Sequence, residues 1–133
     1  MLHDRFVQAV HARSGDLVRE ALAPNVRFFS PVVFSAYEGR DVVGTILAEG
    51  AMQVFEDFAY VHRLEDPEER VATLIFKATV RGRALDGLDL LRFDDDGLIA
   101  ELKVMVRPLS GLDALKTAMG ERFEALGLSP PRS

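Results

Sequence analysis

The segment from Ala84 to Pro108 constrains the fold most, because its pattern predicts two long strands joined by a tight turn. The run Asp94-Asp95-Asp96-Gly97 supplies that turn, since glycine adopts the positive φ that short hairpins favour. Side chains alternate across a strand. One face of the first strand is therefore formed by Leu85, Gly87, Asp89, Leu91 and Phe93. This pattern places one acid, Asp89, in the middle of an otherwise apolar face.

The flanking segments predict the fold class. Apolar residues recur at helical spacing over residues 2–13, shortly after Ser14 and over residues 41–55, and they alternate over residues 58–64 and 71–81. Ser110 and Asp113 form a capping pattern that predicts a C-terminal helix. Helices followed by long strands predict an α+β fold, a cone in which a strongly curved antiparallel sheet wraps around the N-terminal helices. The mouth of such a cone can hold a small ligand.

Composition restricts the function classes. The 133 residues predict one domain over residues 1–128, with residues 129–133 as a disordered tail. A net charge of -5 with scattered basic residues disfavours a nucleic-acid partner. The absence of cysteine excludes disulfides and thiolate metal sites, and no apolar run reaches the ~20 residues that a membrane helix needs. We therefore expect a cytoplasmic protein with no membrane, metal or cofactor partner.

Asp89 is the strongest functional signal in the sequence. A carboxyl group on an apolar face becomes protonated, finds a polar partner or faces a water-filled cavity. It is either a structural acceptor of hydrogen bonds or a pocket acid that acts on a small ligand. His62, on the predicted face of Phe58 and Tyr60, is a second catalytic candidate, with a surface or satisfied histidine as the alternative. Tyr37 lies in the loop predicted at the cone mouth. The remaining expected pocket lining is apolar: Phe29, Phe34, Phe55, Phe76, Leu91 and Val104.

Several short motifs occur in an order that resembles a known superfamily. They are Gly15-Asp16-Leu17, Leu22-Ala23-Pro24-Asn25-Val26, Gly39-Arg40-Asp41 and Asp94-Asp95-Asp96-Gly97-Leu98. Over residues 2–108 the chain resembles the nuclear transport factor 2-like superfamily, in its branch of SnoaL-like polyketide cyclases and ketosteroid isomerases. The resemblance implies that Asp89 matches the acid that these isomerases carry on a late strand. It also implies that Ser30, before Pro31, replaces their catalytic carboxylate, and that Gln8 replaces the tyrosine of their first helix.

Two functions follow as hypotheses. The first is an isomerase, cyclase or hydratase that performs acid–base proton transfer on an apolar, carbonyl-bearing substrate, with Asp89 and His62 as catalytic residues. Gln8, Ser30 and Tyr37 would contact the substrate. The second is a non-catalytic ligand-binding or dimerisation domain of the same fold. Ligands are expected to be flat and hydrophobic, and the outer face of the sheet is expected to form a homodimer.

Overall fold

A computed structural model describes residues 1–129, so the predicted tail lies outside the described residues except for Ser129. The chain begins with the helices α1 (Asp4–His11) and α2 (Gly15–Ala21). The strands β1 (Leu22–Phe29) and β2 (Tyr37–Glu38) follow, then α3 (Arg40–Thr45), a π-helical turn (Ile46–Ala51) and α4 (Met52–Val54). The remaining elements are β3 (Glu56–Asp66), β4 (Val71–Val80), β5 (Arg83–Phe93), β6 (Ile99–Arg107) and α5 (Leu109–Leu126).

The six strands form one sheet in the order β2-β1-β6-β5-β4-β3. The predicted α+β class is confirmed, and the strands pair antiparallel except that β1 runs parallel to β6. The two strands are far apart in the sequence, and the helices and four strands between them allow β6 to run in the direction of β1. The first helices share a buried core with β1, and α5 contacts β4, β5 and β6.

The β5–β6 hairpin has the predicted geometry. Gly97 adopts a φ of 79°, and the Asp94 carboxylate accepts hydrogen bonds from the Asp96 and Leu98 backbone amides, both at 2.9 Å. The predicted apolar face of β5 is buried along its length, with Leu91 completely inaccessible. Because β5 pairs with β4 on one side and β6 on the other, it is a central strand of the sheet.

A β-bulge in β3 overturns one sequence prediction. Tyr60 pairs with Phe76, but His62 pairs with the neighbouring Ile75, so the register shifts by one residue between them. Since a one-residue shift exchanges the faces of a strand, the side chains beyond the bulge point the opposite way. The predicted face is therefore correct for Tyr60 and wrong for His62, which is exposed on the outer side.

Glu65 turns inward as a result of the same bulge, opposite the buried Ala72. Its side chain is buried and lies 2.8 Å from the Nδ1 atom of His3, while the His3 backbone amide donates to it at 3.0 Å. This contact holds the start of α1 against the end of β3.

Helix ends agree with the sequence at one site and differ at another. The helix expected shortly after Ser14 is confirmed as α2, and the Ser14 hydroxyl caps it by accepting a hydrogen bond from the Leu17 amide at 3.1 Å. The predicted Ser110 cap of α5 is wrong. The helix begins at Leu109, immediately after Pro108, so Ser110 already lies within its first turn.

The helix expected over residues 41–55 is interrupted by the π-helical turn. Side chains from other elements bind carbonyl groups in and beside this turn: Arg13 donates to Met52, and Arg122 donates to Glu49 at 2.9 Å. These bonds satisfy carbonyl groups whose intrahelical partners the irregular turn displaces.

Gly87 allows an aromatic ring to lie flat on the sheet. Phe76 is its direct partner on β4 and is buried. A Cβ atom at position 87 would stand 1.9 Å from the Phe76 Cζ atom, which is far inside van der Waals contact. The ring therefore occupies the space of the side chain that Gly87 lacks.

We expect Gly87→Ala to destabilise the protein by about 1–3 kcal/mol, because Phe76 must leave its position. Gly120→Ala is the matched control, since its Cβ atom meets nothing within 4 Å in the interior of α5. That change should stabilise the fold by about 0.5–1 kcal/mol. Chemical denaturation of both variants measures the effects, and equal stabilities would refute the packing argument.

Candidate functional site

A cavity of about 740 Å³ lies between the inner face of the sheet and the helices. Aromatic rings on β3 and β4 form one wall: the Phe58 and Phe76 rings stack with centroids 4.7 Å apart. Phe55 meets Phe76 edge-on at 5.5 Å, and Tyr60 meets Phe58 edge-on at 4.9 Å. Such packing gives a flat, rigid and apolar surface.

Asp89 lies in this cavity with 6% of its surface exposed. Its cross-strand partners are the apolar residues Leu74 and Val104. The Tyr60 hydroxyl donates a hydrogen bond to its Oδ2 atom at 3.3 Å. Within residues 1–129, His3 is also buried, but it lies against Glu65 rather than in the cavity.

The environment of the pair fixes its protonation. Burial raises the pKa of Asp89 from 3.8 to about 7 because it penalises the charged form, and the Tyr60 hydrogen bond offsets this only in part. Burial and the neighbouring carboxylate raise the pKa of Tyr60 well above its usual value. Near neutral pH Tyr60 therefore keeps its proton while Asp89 exchanges one. Together they can donate hydrogen bonds to an oxygen atom or move a proton.

Six of the predicted site residues line the cavity. They are Ser30, Tyr37, Phe55, Phe76, Asp89 and Val104. Ser30 is engaged locally, because its hydroxyl accepts from the amides of Val32 at 3.3 Å and Val33 at 3.2 Å. Tyr37 lies in β2 rather than in a loop, and burial raises its pKa. It packs against Phe28 and edge-on against Phe123.

Two apolar residues that were predicted to line the cavity, Phe29 and Leu91, lie outside it. In β1 the buried face is that of Val26 and Phe28, so Phe28 lines the cavity and Phe29 does not. The Phe29 ring instead lies 5.0 Å from the charged groups of both Arg27 and Lys103. Leu91 is completely buried in the core and does not reach the cavity surface.

Three further predicted residues are exposed and lie outside the cavity. Phe34 is 89% exposed between β1 and β2. Gln8 faces solvent because α1 buries its neighbours Val7 and Ala9. His62 lies beyond the bulge on the outer face of the sheet.

The structure adds residues to the site that sequence patterns did not identify. Tyr60 is one, although its position beside Phe58 in the alternating segment was a usable signal. His11 is another: it lines the cavity from the last turn of α1, with its ring centroid 6.1 Å from that of Tyr60. Met119 and Phe123 come from α5, and only the tertiary packing of that helix brings them to the cavity.

Residues 3–102 match the model of the SnoaL-like domain. The chain belongs to the SnoaL-like family. The match covers every element that carries the Asp89–Tyr60 pair, while α5 lies beyond it. No curated protein matches the chain significantly.

Solved structures agree with this assignment. A steroid delta-isomerase from Pseudomonas aeruginosa is 39% identical, with a TM-score of 0.88 over 94% of this chain and 90% of that chain. An uncharacterized bacterial protein with a cystatin-like fold from Silicibacter pomeroyi is 29% identical, with a TM-score of 0.86 over 92% and 85% of the two chains. A putative ketosteroid isomerase from Kribbella flavida shares the fold at 19% identity, with a TM-score of 0.68 over 80% and 76%. None of the helices in residues 1–129 has the length and apolar character to cross a membrane.

The raised pKa of Asp89 predicts a pH-dependent difference in stability between the wild type and Asp89→Asn. The folded state binds the Asp89 proton more tightly than the unfolded state. This contribution to stability is fully present below the unfolded pKa of 3.8 and is lost as the pH rises through about 7. A difference of about three between the pKa of Asp89 in the folded and unfolded states changes the free energy of unfolding by roughly 4 kcal/mol at most. The variant should therefore gain stability relative to the wild type as the pH increases over this window. Urea denaturation at several pH values measures the difference, and a pH-independent difference would contradict the assignment.

Proposed function

We propose that this protein binds a small apolar ketone in its cavity and transfers a proton within it, with Asp89 and Tyr60 hydrogen-bonded to the carbonyl oxygen. The observation that carries this proposal is the buried Asp89–Tyr60 pair in a cavity with apolar walls. Polar donors in a site that excludes water stabilise the negative charge that develops on such an oxygen. An acid whose pKa lies near neutrality is well suited to exchange protons at that pH.

The size and lining of the cavity support a flat hydrophobic ligand. A volume of about 740 Å³ is within the usual range for pockets that enclose small molecules. The stacked rings of Phe58 and Phe76 favour a planar body. The similarity to a steroid delta-isomerase makes a β,γ-unsaturated 3-ketosteroid the first compound to test.

A second candidate function is binding without turnover. Ser30 stands where the resemblance to ketosteroid isomerases implies a catalytic carboxylate, and its hydroxyl is occupied by two backbone amides. A serine hydroxyl without an activating base does not remove a proton from carbon at neutral pH. If no other group supplies the base, the cavity stores or senses its ligand.

The direct test is conversion of the unconjugated ketosteroid to its conjugated isomer, followed by ultraviolet absorbance. Asp89→Asn should lower kcat/KM by about 10²–10³-fold, because it removes an acidic donor to the oxygen. Asp86→Asn is the matched control on the same strand. Asp86 faces the outer surface, where it pairs with Lys77 at 3.0 Å and Arg107 at 2.7 Å, and its loss should leave turnover unchanged.

The outcomes separate the two candidates. Binding of the ketone without conversion, measured by a rise in melting temperature, supports the storage function. Stabilisation by sugars or nucleotides, with none by steroid-like or polyketide-like compounds, refutes both candidates.

The outer face of the sheet supports assembly as a homodimer. Exposed apolar side chains occur there among charged ones, including Leu64 at 64% and Met105 at 51% exposure. Burying them against a second copy would remove this apolar area from water. We expect sedimentation to give twice the 14.7 kDa of one chain, and Met105→Glu to shift the protein toward the monomer. A wild-type monomer at micromolar concentration refutes the assembly.

A further inference from the structure

Proton transfer within a ketone needs a group that removes a proton from carbon, besides the pair that binds the oxygen. Asp89 and Tyr60 are hydrogen-bonded to each other and act on the oxygen in the proposed function. Ser30 is held in a local turn by the Val32 and Val33 amides. The base must therefore come from another part of the cavity wall.

Three other side chains on the cavity wall can accept a proton: His11, Asp57 and Glu124. Asp57 is exposed at the start of β3, where the backbone takes a φ of 52° and the pairing with β4 is irregular. Glu124 is exposed in the last part of α5. Within residues 1–129, neither carboxylate forms a hydrogen bond with Asp89 or Tyr60, which are bonded to each other.

His11 differs from both because it lies next to the pair. Its ring centroid is 6.1 Å from that of Tyr60, with the two planes inclined at 46°. The hydroxyl of the same tyrosine is 3.3 Å from Asp89. The two other histidines cannot substitute, since His3 is bound to Glu65 and His62 faces outward.

We infer that His11 is the general base of the site. This inference rests on the proposed function and supplies the proton acceptor that the proposed reaction requires. α1 places the imidazole beside the Tyr60 ring, and β5 places the Asp89 carboxyl group beside the Tyr60 hydroxyl. His11, Tyr60 and Asp89 line one cavity, so the inference requires that a ketone whose oxygen contacts Asp89 and Tyr60 places a neighbouring carbon atom against the His11 imidazole. Imidazole is the commonest general base in enzymes.

The chemical step is balanced without any co-reactant. The His11 imidazole accepts a proton from the carbon between the carbonyl group and the double bond. The electrons of that C–H bond form a new carbon–carbon double bond, and the carbonyl π electrons move to the oxygen, which Asp89 and Tyr60 stabilise. The imidazolium then returns the proton to the far carbon of the original double bond, and the carbonyl group re-forms. The product is the conjugated isomer.

The test compares His11→Ala with the wild type on the β,γ-unsaturated 3-ketosteroid. We expect kcat/KM to fall by about 10²–10⁴-fold, the usual contribution of a general base. The Kd of the conjugated product should stay unchanged. Free imidazole should restore part of the turnover, because the His11 side chain is exposed and its removal leaves a gap that solvent can reach. Gln8→Ala is the matched control, since Gln8 is exposed on the same helix outside the cavity.

Each other outcome overturns the inference in a recognisable way. An active wild type with an equally active His11→Ala, or a loss confined to Asp57→Asn or Glu124→Gln, overturns the role of His11 alone. A loss in His11→Ala that follows a weaker Kd and is not rescued by imidazole makes His11 a binding residue only. A wild type that binds the product but converts nothing overturns the inference and supports storage. A wild type that neither binds nor converts overturns the proposed function as well.

Discussion

The burial of the Asp89 carboxyl group is the constraint on which the site depends. A charge in an apolar enclosure is strongly unfavourable unless it is neutralised or given polar partners. Here one hydrogen bond from Tyr60 is offset by near-complete desolvation, so the proton is retained up to about pH 7. The aromatic wall that excludes water from Asp89 also makes the cavity suitable for an apolar ligand.

The burial of Asp89 destabilises the fold, but it places a group that can donate or accept a proton inside the cavity. A leucine at position 89 would suit the apolar face of β5 better, since Leu85 and Leu91 are almost fully buried on it. Polar groups that weaken a core are a common feature of functional sites, where activity and stability compete. Asp86 shows the contrast on the same strand: it lies on the outer face, pairs with Lys77 and Arg107, and has a lowered pKa because both cations hydrogen-bond to it.

The sequence predicted those features that follow from alternation along a single strand. The position of Asp89 on the apolar face belongs to β5, whose pairing with β4 is regular over its whole length. His62 was misplaced because β3 contains an irregular pairing, and a shift of one residue exchanges the two faces. The contributions of His11 and Phe123 depend on how α1 and α5 pack across the cavity. No local pattern encodes such long-range contacts.

Gly87 determines where the wall of the cavity lies beside Asp89. Because Phe76 lies flush against the backbone of β5, the boundary of the cavity beside Asp89 is set by the absence of a single carbon atom. A relative with a larger residue at this position would have to tilt the ring away from the strand. The accepted length of a ligand would then change although every polar group stayed in place. The shape of the cavity can therefore differ between members of this family through the residue that faces the Phe76 ring, while the polar groups of the cavity stay the same.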